Sequence, residues 1–161
     1  MPTGSPPSPA GEQERLPNSP ATPVGVSVSP DDKYQSFLAL TSEGIWHAVA
    51  TPPIPVALPV EEQVRRILTD GVMVECNDAL ARMYGLTDAR QLIGSRVGQL
   101  LMEGDPQNQD FLSTFVRGGY RLEGSESVER TIDGTRRIFL NSLVGIVRDG
   151  MLTDAWGSQS D

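Results

Sequence analysis

The 161-residue chain is short of almost every residue type that does chemistry: it has one cysteine (Cys76), one histidine (His47) and one lysine (Lys33). A lone cysteine excludes an internal disulfide and fits a reducing compartment. One His and one Cys cannot assemble the usual ligand set, so no metal site is expected. Neither a GxGxxG after a strand nor a GxxxxGK phosphate loop occurs. The pair Glu61-Glu62 reads as charge at a helix start, before it reads as an acid/base pair. Basic patches are missing too. The net charge is −8, and only Arg65-Arg66 and Arg136-Arg137 are adjacent cations, a balance that repels phosphate backbones and speaks against direct nucleic-acid binding. No stretch approaches the roughly 20 apolar residues of a membrane helix. The first residues lack the basic start and the run of about 7–15 apolar residues of a signal peptide. These absences point to a cytoplasmic protein without a membrane partner, and to one that is not an enzyme.

What is present divides in two. Residues 1–30 hold eight of the 13 prolines and no aromatic residue. Such a stretch cannot bury enough apolar surface to offset its ordering entropy, so a disordered leader is expected over 1–30 and a folded domain over 31–161. A polyproline ligand is the functional alternative for the leader, which its irregular spacing does not favour.

In the folded part, Tyr34, Phe37, Leu38 and Leu40 recur at helical spacing after Asp31-Asp32. Ile45–Val49 reads as a strand. Thr51–Pro59 carries four prolines and reads as an extended loop. A helix over Glu61–Leu68, a turn at Asp70-Gly71 and a strand over Val72–Cys76 follow. Asn77 is a strong N-cap residue for a helix ending at Gly85. Short helical turns reach Leu92 and span Val97–Leu101, and a longer helix covers Gln107–Val116. The rest is sheet: Tyr120–Ile132 with a bulge near Gly124, Arg137–Val147, and Met151–Gln159. Asp133-Gly134 predicts a type I′ turn, and Asp149-Gly150 is a second hairpin signal. The expected class is α+β, a five-stranded antiparallel sheet with short helices on one face.

The run Val74-Glu75-Cys76-Asn77-Asp78-Ala79-Leu80-Ala81-Arg82-Met83-Tyr84-Gly85, then Leu92-Ile93-Gly94, the hairpin Gly145–Gly150 and the ending Trp156–Asp161 together resemble a PAS domain from about Tyr34 to Asp161. The resemblance implies a bacterial sensory module in which five antiparallel strands cup a cavity closed by short helices. It further implies a homodimer, coupled to a signalling output domain such as a histidine kinase of a two-component system. In that family a signal passes through dimer packing or through the C-terminal end. The alternative is a ligand-free interaction and dimerisation domain.

Two cofactors of such relatives are disfavoured by the residues. Flavin-binding relatives place their cysteine in an Asn-Cys-Arg-Phe-type helix, whereas the order here is Cys76-Asn77-Asp78. Haem-binding relatives carry a histidine on the helix before the last three strands, and Gln107–Val116 has none. Cys76 is expected to be a small buried hydrophobe and His47 a neutral or hydrogen-bonded side chain. Trp46, Tyr84, Phe115 and Trp156 are candidates to line a ligand cavity. Asn141, set among Phe139, Leu140, Leu143 and Val144, is the candidate ligand-orienting residue, because a buried polar group there must be paired. Tyr34, Phe37 and Leu38 are the candidate dimer contact.

Overall fold

The computed structural model describes residues 3–5 and 29–161. The expectation of a disordered leader falls, apart from a few residues, outside that range. Residue 30 belongs to the domain instead: Ser29 caps a first helix, α1 (Pro30–Leu40), its hydroxyl accepting from the Asp32 N–H at 3.1 Å.

From there the chain runs β1 (Gly44–Pro55), α2 (Val60–Asp70), β2 (Gly71–Cys76), α3 (Asp78–Met83), a 3-10 turn (Ala89–Gln91), α4 (Val97–Leu100), α5 (Pro106–Arg117), β3 (Arg121–Arg130), β4 (Arg136–Arg148) and β5 (Met151–Ser160). The five strands form one antiparallel sheet in the order β2-β1-β5-β4-β3. The three C-terminal strands are the expected meander, and the first two strands are added at its free β5 edge.

Helices α2, α4 and α5 close over one face of the sheet. Ile54, Val64, Leu68, Phe111, Leu112, Phe115, Leu143 and Leu152 form the main core there. A second cluster, Met73, Leu80, Ala81, Tyr84, Leu92 and Phe139, sits under α3. Each such buried side chain contributes on the order of 1.5–3 kcal/mol of hydrophobic transfer. Helix α1 stands apart on the outer face, where Tyr34 meets Trp156 edge-on at 5.9 Å between ring centroids.

Two local expectations are corrected. The proline-rich stretch after Val49 is not all loop, because β1 extends to Pro55. Pairing with β5 lapses after Val49↔Asp154 and resumes at Ile54↔Leu152. On its other side β1 loses β2 beyond Ala50↔Gly71. Prolines there remove no ladder bond, as on any free edge, while Ile54, 1% exposed, draws the strand back onto the core. The second correction concerns Asp133-Gly134. Only Gly134 has a positive φ (85°), and the Thr131 N–H donates to the Thr135 carbonyl across three intervening residues. This is a three-residue hairpin with its left-handed residue last, not a type I′ turn. Asp149 (φ 53°) and Gly150 (φ 72°) do form the I′ geometry, joining the pair Arg148↔Met151.

Candidate functional site

The strand alternation decides which side chains face the helices. Along β4, Phe139, Asn141 and Leu143 are buried, while Ile138, Leu140 and Val144 are exposed on the far side. Register carries the same phase across the sheet: Asn141 stands opposite Gln159, Leu143 opposite Gly157, and Trp46 opposite Gly157 on the next strand. Between this concave face and the helices lies a cavity of about 100 Å³. Its apolar wall includes Ile54, Val97, Leu101, Leu112 and Phe115, its polar wall is Tyr84, Glu129, Asn141 and Gln159, and Asp154 also lines the space.

The polar wall is a connected network. Asn141 donates from Nδ2 to the Ser127 hydroxyl at 2.8 Å, and Ser127 donates to Glu129 Oε1 at 2.6 Å. From the other side Gln159 Nε2 reaches the Tyr84 hydroxyl at 3.5 Å, and Tyr84 donates to Glu129 Oε2. Two donor chains, from β4 through β3 and from β5 through α3, thus converge on one carboxyl group that is 3% exposed. Burial pushes the Glu129 carboxyl above the ordinary carboxylate range and the Tyr84 hydroxyl well above its own.

Four of the five expected cavity residues, Trp46, Tyr84, Phe115 and Asn141, line this space. Trp156 does not, and that expectation is corrected. It pairs with His47 and Val144 on the outer face, stacked on the His47 ring at 4.0 Å with a 5° interplanar angle. His47 in turn bonds Asp154 through Nε2 at 2.8 Å. Trp46 occupies the inner side instead, and does so because position 157 is glycine. A Cβ there would stand 2.2 Å from Trp46 Cζ2, so the indole lies directly on the β5 backbone.

Of the three expected dimer residues, only Phe37 (57% exposed) stays fully outward. Leu38 is buried, and Tyr34 is turned inward onto Trp156. The Tyr34 hydroxyl meets no hydrogen-bond partner among the described residues and is pushed up to about 12, first by burial and then by the nearby Glu75. Leu40 (86% exposed) is the other outward apolar side chain of α1.

Cys76 ends β2, its thiol directed at the Ala89 carbonyl at 3.5 Å and outside the cavity lining. Burial, then the acids Asp78, Glu75 and Asp88, push this thiol up to about 11, which keeps it protonated. No cluster of three or more His, Cys, Asp or Glu side chains that could hold a metal occurs among the described residues. No helix among them is long and apolar enough to cross a membrane.

Glu129 was not among the residues expected from sequence. In the run Ser125-Glu126-Ser127-Val128-Glu129-Arg130 it looks like one more solvated charge on an alternating strand. The burial of Ser127, Val128 and Glu129 in succession breaks that alternation.

No family model matches the sequence, and no curated protein does. Solved structures do. An RNA-binding light-oxygen-voltage receptor superposes with a TM-score of 0.57 at 18% identity, covering 91% of this chain and 37% of that one. The PAS domain of a protein from Colwellia psychrerythraea gives 0.57 at 17% identity, over 81% of this chain and 95% of that one. A domain of a sensory box sensor histidine kinase/response regulator from Geobacter sulfurreducens gives 0.52 at 18%, over 81% and 93%. The fold is that of a PAS domain, as the sequence resemblance implied.

A flavin of the kind weighed from the sequence does not suit the residues present. The cavity is well below the roughly 300–1,000 Å³ of typical cofactor sites, and the single thiol points elsewhere.

Proposed function

We propose that this chain is a sensory module that takes a small molecule into the cavity and relays its presence through β5. The observation that carries the reading is the cavity itself: apolar on the helix side, and edged on the sheet side by a buried network whose members come from α3, β3, β4 and β5. A ligand that binds one arrangement of this network better than another shifts the population between them, which is all that sensing requires. Gln159 belongs both to the cavity wall and to the last turns of β5. Two residues on, Asp161 is held by Arg137 at 2.6 Å. A change at the polar wall therefore reaches the C-terminal end through one short stretch of strand, toward an output domain or partner protein. The PAS domains of sensor kinases among its structural neighbours support that role. The module performs no catalysis of its own and works in the cytoplasm.

A second reading, a docking and dimerisation domain without a ligand, is favoured by the apolar outer surface. Phe37 and Leu40 on α1 and Leu140 and Val144 on β4 are all exposed. Native mass spectrometry of the purified chain separates the two. A small molecule of defined mass that stays with the folded protein supports the sensory reading. A stable dimer with repeatedly no bound mass, and no thermal shift with a small-molecule panel, replaces it with the docking reading.

A further inference from the structure

Two acids, Glu129 and Asp154, line the cavity. The Asp154 carboxyl is engaged by His47 at 2.8 Å and by the Thr153 hydroxyl, whereas Glu129 is the carboxyl bound into the buried network. No Lys, Arg or His among the described residues lines the space. The register sets Arg137 of β4 opposite Glu129, which is where a compensating cation would be expected. Arg137 instead lies over the Phe139 ring at 5.6 Å, grips Asp161 and does not line the cavity. The other titratable groups nearby are Tyr84, the C-cap residue of α3, which donates to Glu129, and Cys76 on β2, beside Tyr84. Neither supplies positive charge.

An ionised carboxylate offers about four lone-pair positions. Ser127 and Tyr84 take one on each oxygen, which leaves acceptor capacity on the cavity side. The aromatic rings of Trp46, Tyr84 and Phe115 line the same space, and ring faces attract cations when water is excluded. Most of the remaining wall is aliphatic. About 100 Å³ is room for roughly three water-sized volumes, which limits any occupant to a few heavy atoms.

Taking the cavity as the ligand site proposed above, we infer that its occupant is a small monocation: a primary ammonium on a short apolar tail, its N–H groups on Glu129 and its tail against Leu112 and Phe115. Binding supplies the charge that Arg137 does not. It also pulls on both donor chains, and through Tyr84 and Gln159 on β5.

Isothermal titration of the full chain with n-propylammonium and with its near-isostere n-propanol tests this. The ammonium should bind at least about tenfold more tightly than the alcohol, and Glu129→Gln should bring the two within about threefold. In the unsubstituted protein, affinity for the ammonium should rise with pH as Glu129, raised by burial, ionises, while that for the alcohol stays flat. This second readout needs no variant, so a Glu129→Gln protein that fails to fold leaves the test intact. If alcohol and ammonium bind alike at every pH, the cation inference is wrong and the cavity remains a ligand site. If neither binds, both the inference and the cavity reading fall.

Discussion

Glu129 makes the fold itself depend on pH. Its carboxyl is raised above the ordinary value of 4.5 by burial, so the folded state holds a proton that the unfolded chain releases. The stability this contributes is fully present below about pH 4.5 and is lost as pH rises through the raised value. The exposed carboxyls Glu62, Asp88 and Asp133 run the other way. Hydrogen bonds from Arg65, Arg90 and Thr131 respectively hold them down to about 2, so what they contribute is lost only in acid. Urea midpoints of the ligand-free protein and of Glu129→Gln, compared from about pH 4.5 upward, isolate the buried group. The unsubstituted protein should lose stability relative to the variant as pH rises; parallel curves would show that Glu129 does not titrate there. Sequence revealed half of this site. Asn141 stood out because it interrupts an apolar strand, whereas Glu129 hid among other polar residues. Trp156 was assigned to the wrong face for a related reason. A strand's period tells which residues share a side, not which side is inward, and the deciding neighbour was Gly157, whose missing side chain makes room for Trp46.

Among the elements, α3 depends most on one residue. Asn77 accepts from the N–H groups of Leu80 (3.1 Å) and Ile45 (2.9 Å) and donates to the carbonyls of Glu43 (2.9 Å) and Leu38 (3.2 Å). It therefore caps α3 and ties α1 to the start of β1. Asn77→Ala strands buried partners on three elements, and should cost about 2–4 kcal/mol in equilibrium unfolding. A loss below about 0.5 kcal/mol would mean that water replaces these bonds without penalty. The capping role was legible in the sequence, because Asn directly before an acidic first turn has a local signature. The bonds to Leu38 and Glu43 span more than 30 residues and have none. The same distinction explains the two hairpins and the tail of β1. Asp149-Gly150 is set by its own two residues. Asp133-Gly134 takes another form because Thr131 and Thr135 pair outside it, and β1 runs on through its prolines because Ile54 is needed in the core.

At the scale of the whole molecule, strand order joins the sensing face to the chain's route through the domain. The first strand lies beside the last, so Gly44 pairs with Gln159, Ile45 with Ser158, and Trp46 with Gly157. The chain thus comes into the sheet and leaves it at neighbouring points, with α1 and its exposed Phe37 and Leu40 just ahead of that seam. The arrangement has a mechanical consequence. Tension applied between residues 29 and 161 does not shear β1 against β5; it opens them like a zip, one rung at a time from Gly44↔Gln159. Rungs loaded singly yield at lower force than rungs loaded together. Optical-tweezer pulling at these two positions should therefore give a markedly lower unfolding force than pulling across residues 44 and 151, which lie at opposite ends of the seam. Equal forces would refute the zip. The third rung to part is the one on which the Trp46 indole rests, so a pull transmitted along the backbone would unseat the cavity's largest ring before most of the sheet had moved.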